Sequence, residues 1–600
     1  MLLQRLVEYA QSRSDAIPAF HRDQEFRWQL DLTADGEPVD GRLLPLEDPD
    51  GRGRGIRRVT PAAARTVGVA ANLAADDLQY VLGWADADAK PDRVARCHKA
   101  FVELTAAWAA SEQASGDPGV QAAAAFYARP VGDRVRREPE FSSKDRVLIS
   151  VNGQMLFQRP SVVPFWTAEV ARRKGGGTVG LCLVCGTTAP LLDTVPGKIP
   201  ARYLPGAGND AALVSVNERV FGYDLSTQLG HSPICLSCGE AVSAGLLAVL
   251  EGHSTSHGGQ DSRTAWWTVG NSEFDVMEMI ERADPDDVTA FLRRMRQGRP
   301  LGAIPQPGTF LSLTVGGNIA RVIVRDWVEM PLTDLERHAR QWFTDHEIVS
   351  SRPDGQRVHS LARLVLACGR WDRQRGRYAD MGSKTADRPA DLRRVLHRAA
   401  VRGDPLPPAL LAHLLHRIAT DGHLDDARVA MIRLCLTRHP QTPPERMPMP
   451  DLEPATSDPA YVAGRLFAVL EQIQYDASGG KLNTTYADRH FAGALTSPRT
   501  AIVAGRKDAA AWLKKLRRDR NGAAVNHDKR LSALCSLLPE GQDLPARCSL
   551  RQQARFVLGY HHERADHFAA VRARSQRLAQ GDTRSTATDP DPEGTPEEND

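Results

Sequence analysis

The sequence predicts an α+β protein: a mixed, multi-lobed N-terminal body carrying a paired-cysteine insertion, followed by an all-α C-terminal helical bundle. Three observations predict this. Short runs of apolar–polar alternation recur through residues 1–384, as half-buried strands require. Cys182-Leu183-Val184-Cys185-Gly186 and Cys235-Leu236-Ser237-Cys238-Gly239 each place two thiols on one tight turn. Beyond residue 384 the alternation gives way to Ala-, Leu- and Arg-rich helical patterns separated by Pro-containing loops.

In chain order, residues 1–180 form a first α+β region. Residues 1–10 read as a short amphipathic helix broken by charge, unlike a secretory signal. Phe26-Arg27-Trp28-Gln29-Leu30-Asp31-Leu32 alternates as a strand, and a Gly/Arg loop follows at 51–58. Helical stretches are expected around 74–84 and 93–114. A strand at 146–151 ends in Asn152-Gly153, a hairpin-turn pair. Residues 181–260 hold the two knuckles. Residues 261–384 complete the body, with a strand at 310–315 that turns through Gly316-Gly317-Asn318 into an alternating segment at 319–325. Residues 385–450 are a helical segment and a Pro-rich linker. Residues 451–575 are a helical bundle, opened by Asp458 as cap and Pro459 in the first turn, with Leu466, Val469, Leu470 and Ile473 on one apolar face. The tail 576–600 is expected to lack structure, since 582–600 carries seven acidic residues against one Arg.

The 600 residues suffice for roughly three or four domains. No apolar run approaches the roughly 20 residues a membrane span needs, so no membrane partner and a cytoplasmic location are expected. A net charge of +2 names no nucleic-acid partner by itself; its distribution is more informative. Residues 506–530 hold nine Lys/Arg against three Asp. Arg52, Arg54, Arg57 and Arg58 sit on glycine-flexible backbone, where the guanidinium fork can grip phosphate. Either run, taken alone, equally describes a solvated face.

The four paired cysteines, Cys182, Cys185, Cys235 and Cys238, have the spacing of a structural Zn²⁺ site, two knuckles closing one tetrahedral thiolate shell. A disulfide framework is the alternative, and nine cysteines in a chain without a secretory signal fit it less well. A closed shell leaves no position for water, so the metal would brace structure. The five single cysteines read as free buried thiols, and His253 and His257 as surface residues. Catalytic signals are missing. Lys174-Gly175-Gly176-Gly177-Thr178 lacks the Gly-Lys-Ser/Thr of a phosphate loop, and Pro233-Ile234-Cys235 lacks the upstream His-x-Glu of a zinc deaminase.

Several blocks together resemble one family. They are residues 1–9 with 27–32; Arg65-Thr66-Val67-Gly68 with Asn72, Asp76 and 80–83; 198–200, 204–207 and 212–217 with Phe221; 318–327; 464–471 with Asn483, Asp488, Arg489 and Phe491; and 556–562. In this order they are similar to the large subunit of the type I-C CRISPR Cascade complex, the Csd-one family. The resemblance implies a non-catalytic subunit that reads a short flanking motif (the PAM) in double-stranded target DNA, supports R-loop formation and recruits a helicase-nuclease. It implies as partners a CRISPR guide RNA, the Cascade backbone and 5′-handle-binding subunits, and small-subunit-like copies of the C-terminal region, begun at Met447, Met449 or a valine-coded start at Val462. In that setting Arg57, Arg58, Arg65, Thr66 and Asn72 supply cations, hydroxyl and amide for DNA. Asn318, Arg321 and Arg325 make a second candidate surface, beside a Gly-Gly turn that lets backbone approach DNA. Lys514, Lys515, Arg517 and Arg518 would line the path of a strand. The competing readings are a zinc-dependent nucleic-acid-processing enzyme and a stand-alone zinc-stabilised DNA-binding protein.

Overall fold

The computed structural model describes residues 1–13, 17–47, 55–63, 65, 68–87, 89–137, 141–216, 218–227, 229–270, 275–296, 308–353, 355–440, 442 and 447–585. The chain forms two compact units. The first comprises Met1–Thr255, Ser262–Ala265 and Leu313–Trp327; the second comprises Ser256–Asp261, Trp266–Ser312 and the chain from Val328 onward.

In the first unit the expected strand at 26–32 divides at Arg27, whose N–H donates to Arg146 O. His21–Phe26 pairs antiparallel with Ile56–Pro61, while Trp28–Leu32 runs parallel to Arg146–Val151 with Leu30 opposite Ile149. Leu30, Leu32, Val147 and Ile149 point into a core shared with Phe101 and Trp108 of the helix Pro91–Ala109 and Trp166 of Val162–Lys174. The turn Asn152-Gly153 has φ of 49° and 75° and sets Val151 opposite Gln154, the two-residue hairpin that this dipeptide favours.

Two expectations are corrected. The stretch 74–84 is not one helix: Ala75–Asp77 is a strand antiparallel to Arg146–Leu148, and only Leu78–Val81 makes a helical turn. Alanine's local preference yields there to a non-local ladder. Nor do Gly316 and Gly317 reverse the chain, because Thr309–Pro331 is one strand, irregular at Ile319 with φ 54°. A Cβ on Gly317 would sit 2.5 Å from Ala207 Cβ, and Gly317 N–H donates to Pro205 O at 2.8 Å. The glycine is needed because another backbone lies against it.

The second unit is mostly helical, and among the described residues no strand follows Arg377–Tyr378. Its centre is the helix Pro459–Ala477, capped by Asp458 Oδ1 accepting from the Ala460 and Tyr461 N–H groups at 2.9 and 3.3 Å. Leu466, Val469, Leu470 and Ile473 are buried as expected, and so are nearly all their neighbours, because helices cover this one on several sides. It crosses Leu550–Ser585 at two glycines. A Cβ on Gly464 would meet Phe556 O at 2.0 Å, and one on Gly559 would meet Tyr461 O at 2.1 Å, so the two backbones touch. Beside this seam buried Glu563 takes Arg465 Nε at 2.9 Å and Arg530 Nε at 2.6 Å. The helix Leu550–Ser585 includes residues 576–585; the acidic stretch 586–600 lies outside the described residues. Among the described residues, no helix is long and apolar enough to cross a membrane.

Candidate metal centre and nucleic-acid interface

The two Cys-x-x-Cys-Gly turns meet. One Sγ from each of Cys182, Cys185, Cys235 and Cys238 lies within 4.8 Å of all the others, and Cys185 and Cys235 are 3.9 Å apart. A tetrahedral ion with metal–sulfur bonds of about 2.3 Å holds its sulfurs about 3.8 Å apart, so the four fit one closed soft-metal shell. Local chain geometry builds each half differently. In the first knuckle Cys182 Sγ accepts the N–H of Val184 at 3.4 Å and of Cys235 at 3.3 Å, and Gly186 closes the turn at φ 72°. In the second, Cys235 is the N-cap of the helix Leu236–Glu251, which puts Cys238 in the first turn, where the helix dipole favours a thiolate. Gly239 is there for space, since a Cβ would lie 2.4 Å from Leu192 Cδ1.

Cys182, Cys235 and Cys238 are buried and Cys185 is exposed. The Thr187 hydroxyl, 3.0 Å away, and the Thr187 backbone pull the Cys185 thiol down to about 6, while burial pushes Cys238 well up. The lobe is tied to the rest of its unit by Glu240, buried on the same helix, which accepts Phe20 N–H at 2.9 Å and pairs with Arg22. His257 is not the surface residue expected: it is half-buried, 3.1 Å from Arg393, and burial lowers it to about 4.

Of the N-terminal candidates, Arg65 and Asn72 line one cleft of about 620 Å³, whereas Arg57 and Arg58 are exposed on the strand Ile56–Pro61. Arg57 pairs with Asp23 at 2.9 Å, and Arg58 Nη1 donates to Arg57 O. Arg65 stacks over Tyr80 at 4.1 Å and pairs with the carboxylate of Asp76, which also accepts Asn72 N–H at 2.7 Å. Burial raises the Asp76 carboxyl above its ordinary value, and Arg65 with the N–H groups of Asn72 and Asp77 offsets part of that. Burial and the neighbouring Asp76 charge push Asp77 up to about 6. Thr66 lies outside the described residues, as do Arg52 and Arg54.

The same cleft is lined by Arg172, Arg173 and Lys174, which sequence reasoning passed over. They end the helix Val162–Lys174, and Glu169 holds Arg172 at 2.8 Å and Arg173 at 2.5 Å. Three consecutive cations ahead of a glycine run were a visible signal. Asn318 and Arg321 are exposed on the long strand and Arg325 is half-buried. Lys514 and Lys515 are exposed on the helix Pro498–Asp519; Arg517 pairs with Asp528 and Arg518 with Asp519. Among the described residues no ion pair holds Lys507, Lys514 or Lys515. Lys507, Lys514 and Arg518 are spaced by seven and four residues and so share a face, about 10 and 6 Å apart along the axis.

These features define a chain of two units, one holding a cluster of four cysteines and the other a helical assembly with a cationic face. A family model described as CRISPR-associated protein (Cas_Csd1) matches residues 3–568, and the chain belongs to that family. No curated protein matches it.

Proposed function

We propose that the chain is the non-catalytic large subunit of a type I-C Cascade complex, recognising a PAM in double-stranded DNA, supporting the R-loop and recruiting a helicase-nuclease for antiviral defence in the cytoplasm. The observation that carries this reading is the cleft that joins the Asn72 amide to Arg172, Arg173 and Lys174. Phosphates call for cations and base edges for amides or hydroxyls, and this cleft offers both, the cations from a helix end and the amide from a loop. Arg65 has a double part in the reading: it lines the cleft, and its pairing with Asp76 shapes the loop that presents Asn72. Arg57 and Arg58, and Asn318 with Arg321 and Arg325, are further surfaces for DNA backbone.

The cationic face of Pro498–Asp519, with Lys507 added to Lys514, Lys515, Arg517 and Arg518, suits a strand gripped by charge alone. The four cysteines would hold one structural Zn²⁺, the ion best matched to a closed four-sulfur shell. The guide RNA, the backbone subunits and the 5′-handle-binding subunit are the companions of this role. The segment 451–575 is proposed as the small-subunit-like part. A separate copy begun at Met447 or Met449 keeps Glu453 and Asp458, which hold Arg555 at 2.9 and 2.8 Å; a start at Val462 loses both.

The test is binding of the assembled complex, with guide RNA, to duplexes that differ only in the flanking motif. Asn72→Ala is expected to cost about tenfold in affinity for the motif-bearing duplex and to leave assembly unchanged. Lys507→Glu with Lys514→Glu is expected to weaken all duplexes alike and to flatten the salt dependence. Turnover of nucleic acid by the purified chain, abolished by a chelator, would overturn the reading.

A further inference from the structure

The antiparallel ribbon that leads into the first knuckle, Gly175–Leu181 with Thr188–Leu192, is chemically unlike the rest of the surface. Residues 175–192 contain no Asp, Glu, Lys, Arg or His. Val179 is 69% exposed and Leu181 58%, on the same face because they are two apart. Of the twenty-two large apolar side chains exposed among the described residues, seven fall between Val179 and Leu225. Isolated apolar residues at a surface mean little, but Val179 and Leu181 exposed side by side on one face of an uncharged strand are the mark of a contact surface.

The backbone of the ribbon defines what kind of contact. Cys182 N–H donates to Thr187 O at 2.9 Å, and the register sets Gly180 opposite Ala189 and Val179 opposite Pro190, which has no N–H to give. Even-numbered residues therefore face Thr188–Leu192, and the N–H and C=O groups of Val179 and Leu181 point to the other edge. The strand Gly175–Leu181 has no second neighbour among the described strands. At Leu183 the same edge is already taken, by Pro233 O at 2.9 Å. Open edges of natural sheets are normally guarded by Lys, Pro or a bulge that turns them away. This strand has neither Lys nor Pro, and its irregular register lies ahead of Val179.

We propose that the edge Gly177–Leu181 accepts an extended, uncharged, apolar segment of a companion protein subunit as an added strand, resting on the reading of this chain as part of a Cascade complex. Added main-chain hydrogen bonds at Val179 and Leu181 supply the ladder, and the Val179–Leu181 face packs alternate side chains of the incoming segment. A nucleic acid is the wrong occupant, because phosphates need cations that 175–192 does not carry. A second copy is a poor fit too. Antiparallel self-pairing centred on Val179 sets Leu181 against Gly177 and leaves the ladder without most of its side-chain pairs, whereas a different strand can put bulk where this one has glycine.

The test measures binding of the full-length chain to purified, guide-loaded companion subunits, with amide hydrogen exchange read in the free and bound states. Val179→Asp with Leu181→Asp, and separately Val179→Pro, are each expected to weaken binding about tenfold while bound metal stays unchanged. Slowed exchange at the Val179 and Leu181 amides on complex formation is the accompanying signature. Equal binding by wild type and variants, with no protection at those amides, overturns the added strand and leaves the Cascade reading standing. Failure of the wild-type chain itself to bind the companions overturns both. Dimerisation of the wild-type chain alone, lost in Val179→Asp/Leu181→Asp, would give the edge to a second copy. Loss of duplex affinity with assembly intact would give it to nucleic acid.

Discussion

The four-cysteine lobe and the C-terminal helices differ in what they have to hold a shape with. The lobe's buried cluster is small, and three of its eight members are the cysteines Cys182, Cys235 and Cys238 beside Val184, Leu192, Val195, Leu229 and Ile234. Around Pro459–Ala477, by contrast, Phe467 alone meets the rings of Tyr486, Phe491, Phe556 and Tyr560 within 6 Å. A lobe with so little apolar area to bury needs a cross-link, and a helix covered on several sides does not. The two regions should therefore fail differently.

The largest effect is expected at the four cysteines, where one structural zinc is proposed. Binding of structural zinc is worth about 10 kcal/mol or more in small zinc-folded peptides, so Cys238→Ser or chelation is expected to abolish stoichiometric zinc and speed amide exchange across 182–239. Exchange in Pro459–Ala477 should stay as it was. A bundle that loosens together with the lobe would erase the contrast.

Next comes Glu563, the buried carboxylate between Arg465 and Arg530. Glu563→Ala leaves the Arg465 guanidinium buried and uncompensated and is expected to cost about 3–5 kcal/mol of bundle stability in denaturant unfolding, with zinc content unaltered. The smallest effect is expected at the cap: Asp458→Ala gives up two N–H bonds to the core helix, about 1 kcal/mol, and also frees one side of Arg555. A loss there as large as that at Glu563 would mean that the cap's ion pair outweighs its hydrogen bonds.

The parts legible in the sequence were those written in local chemistry. Each Cys-x-x-Cys-Gly turn, the Asn152-Gly153 hairpin and the Asp458-Pro459 helix start occupy a few neighbouring residues, and each is found where its local rule puts it. What escaped was decided by distant chain. Ala75–Asp77 looks helical until Arg146–Leu148 lies beside it, and Gly317 looks like a turn until Pro205 and Ala207 press against it. Arg172, Arg173 and Lys174 were hidden because a charged helix end reads as solvated surface; only the fold sets them in one cleft with Asn72.

The glycine crossing of the two core helices bears on inheritance as well as on packing. Gly464 and Gly559, with Phe556 and Tyr461 behind them, all fall after Met449, as do Arg465 and Glu563. Whatever begins translation in that linker would receive the complete fastening, both faces of it, in one reading frame. Nothing upstream need be borrowed to close it, so in a separate copy begun there, as proposed above, a mutation at either glycine would be felt a second time.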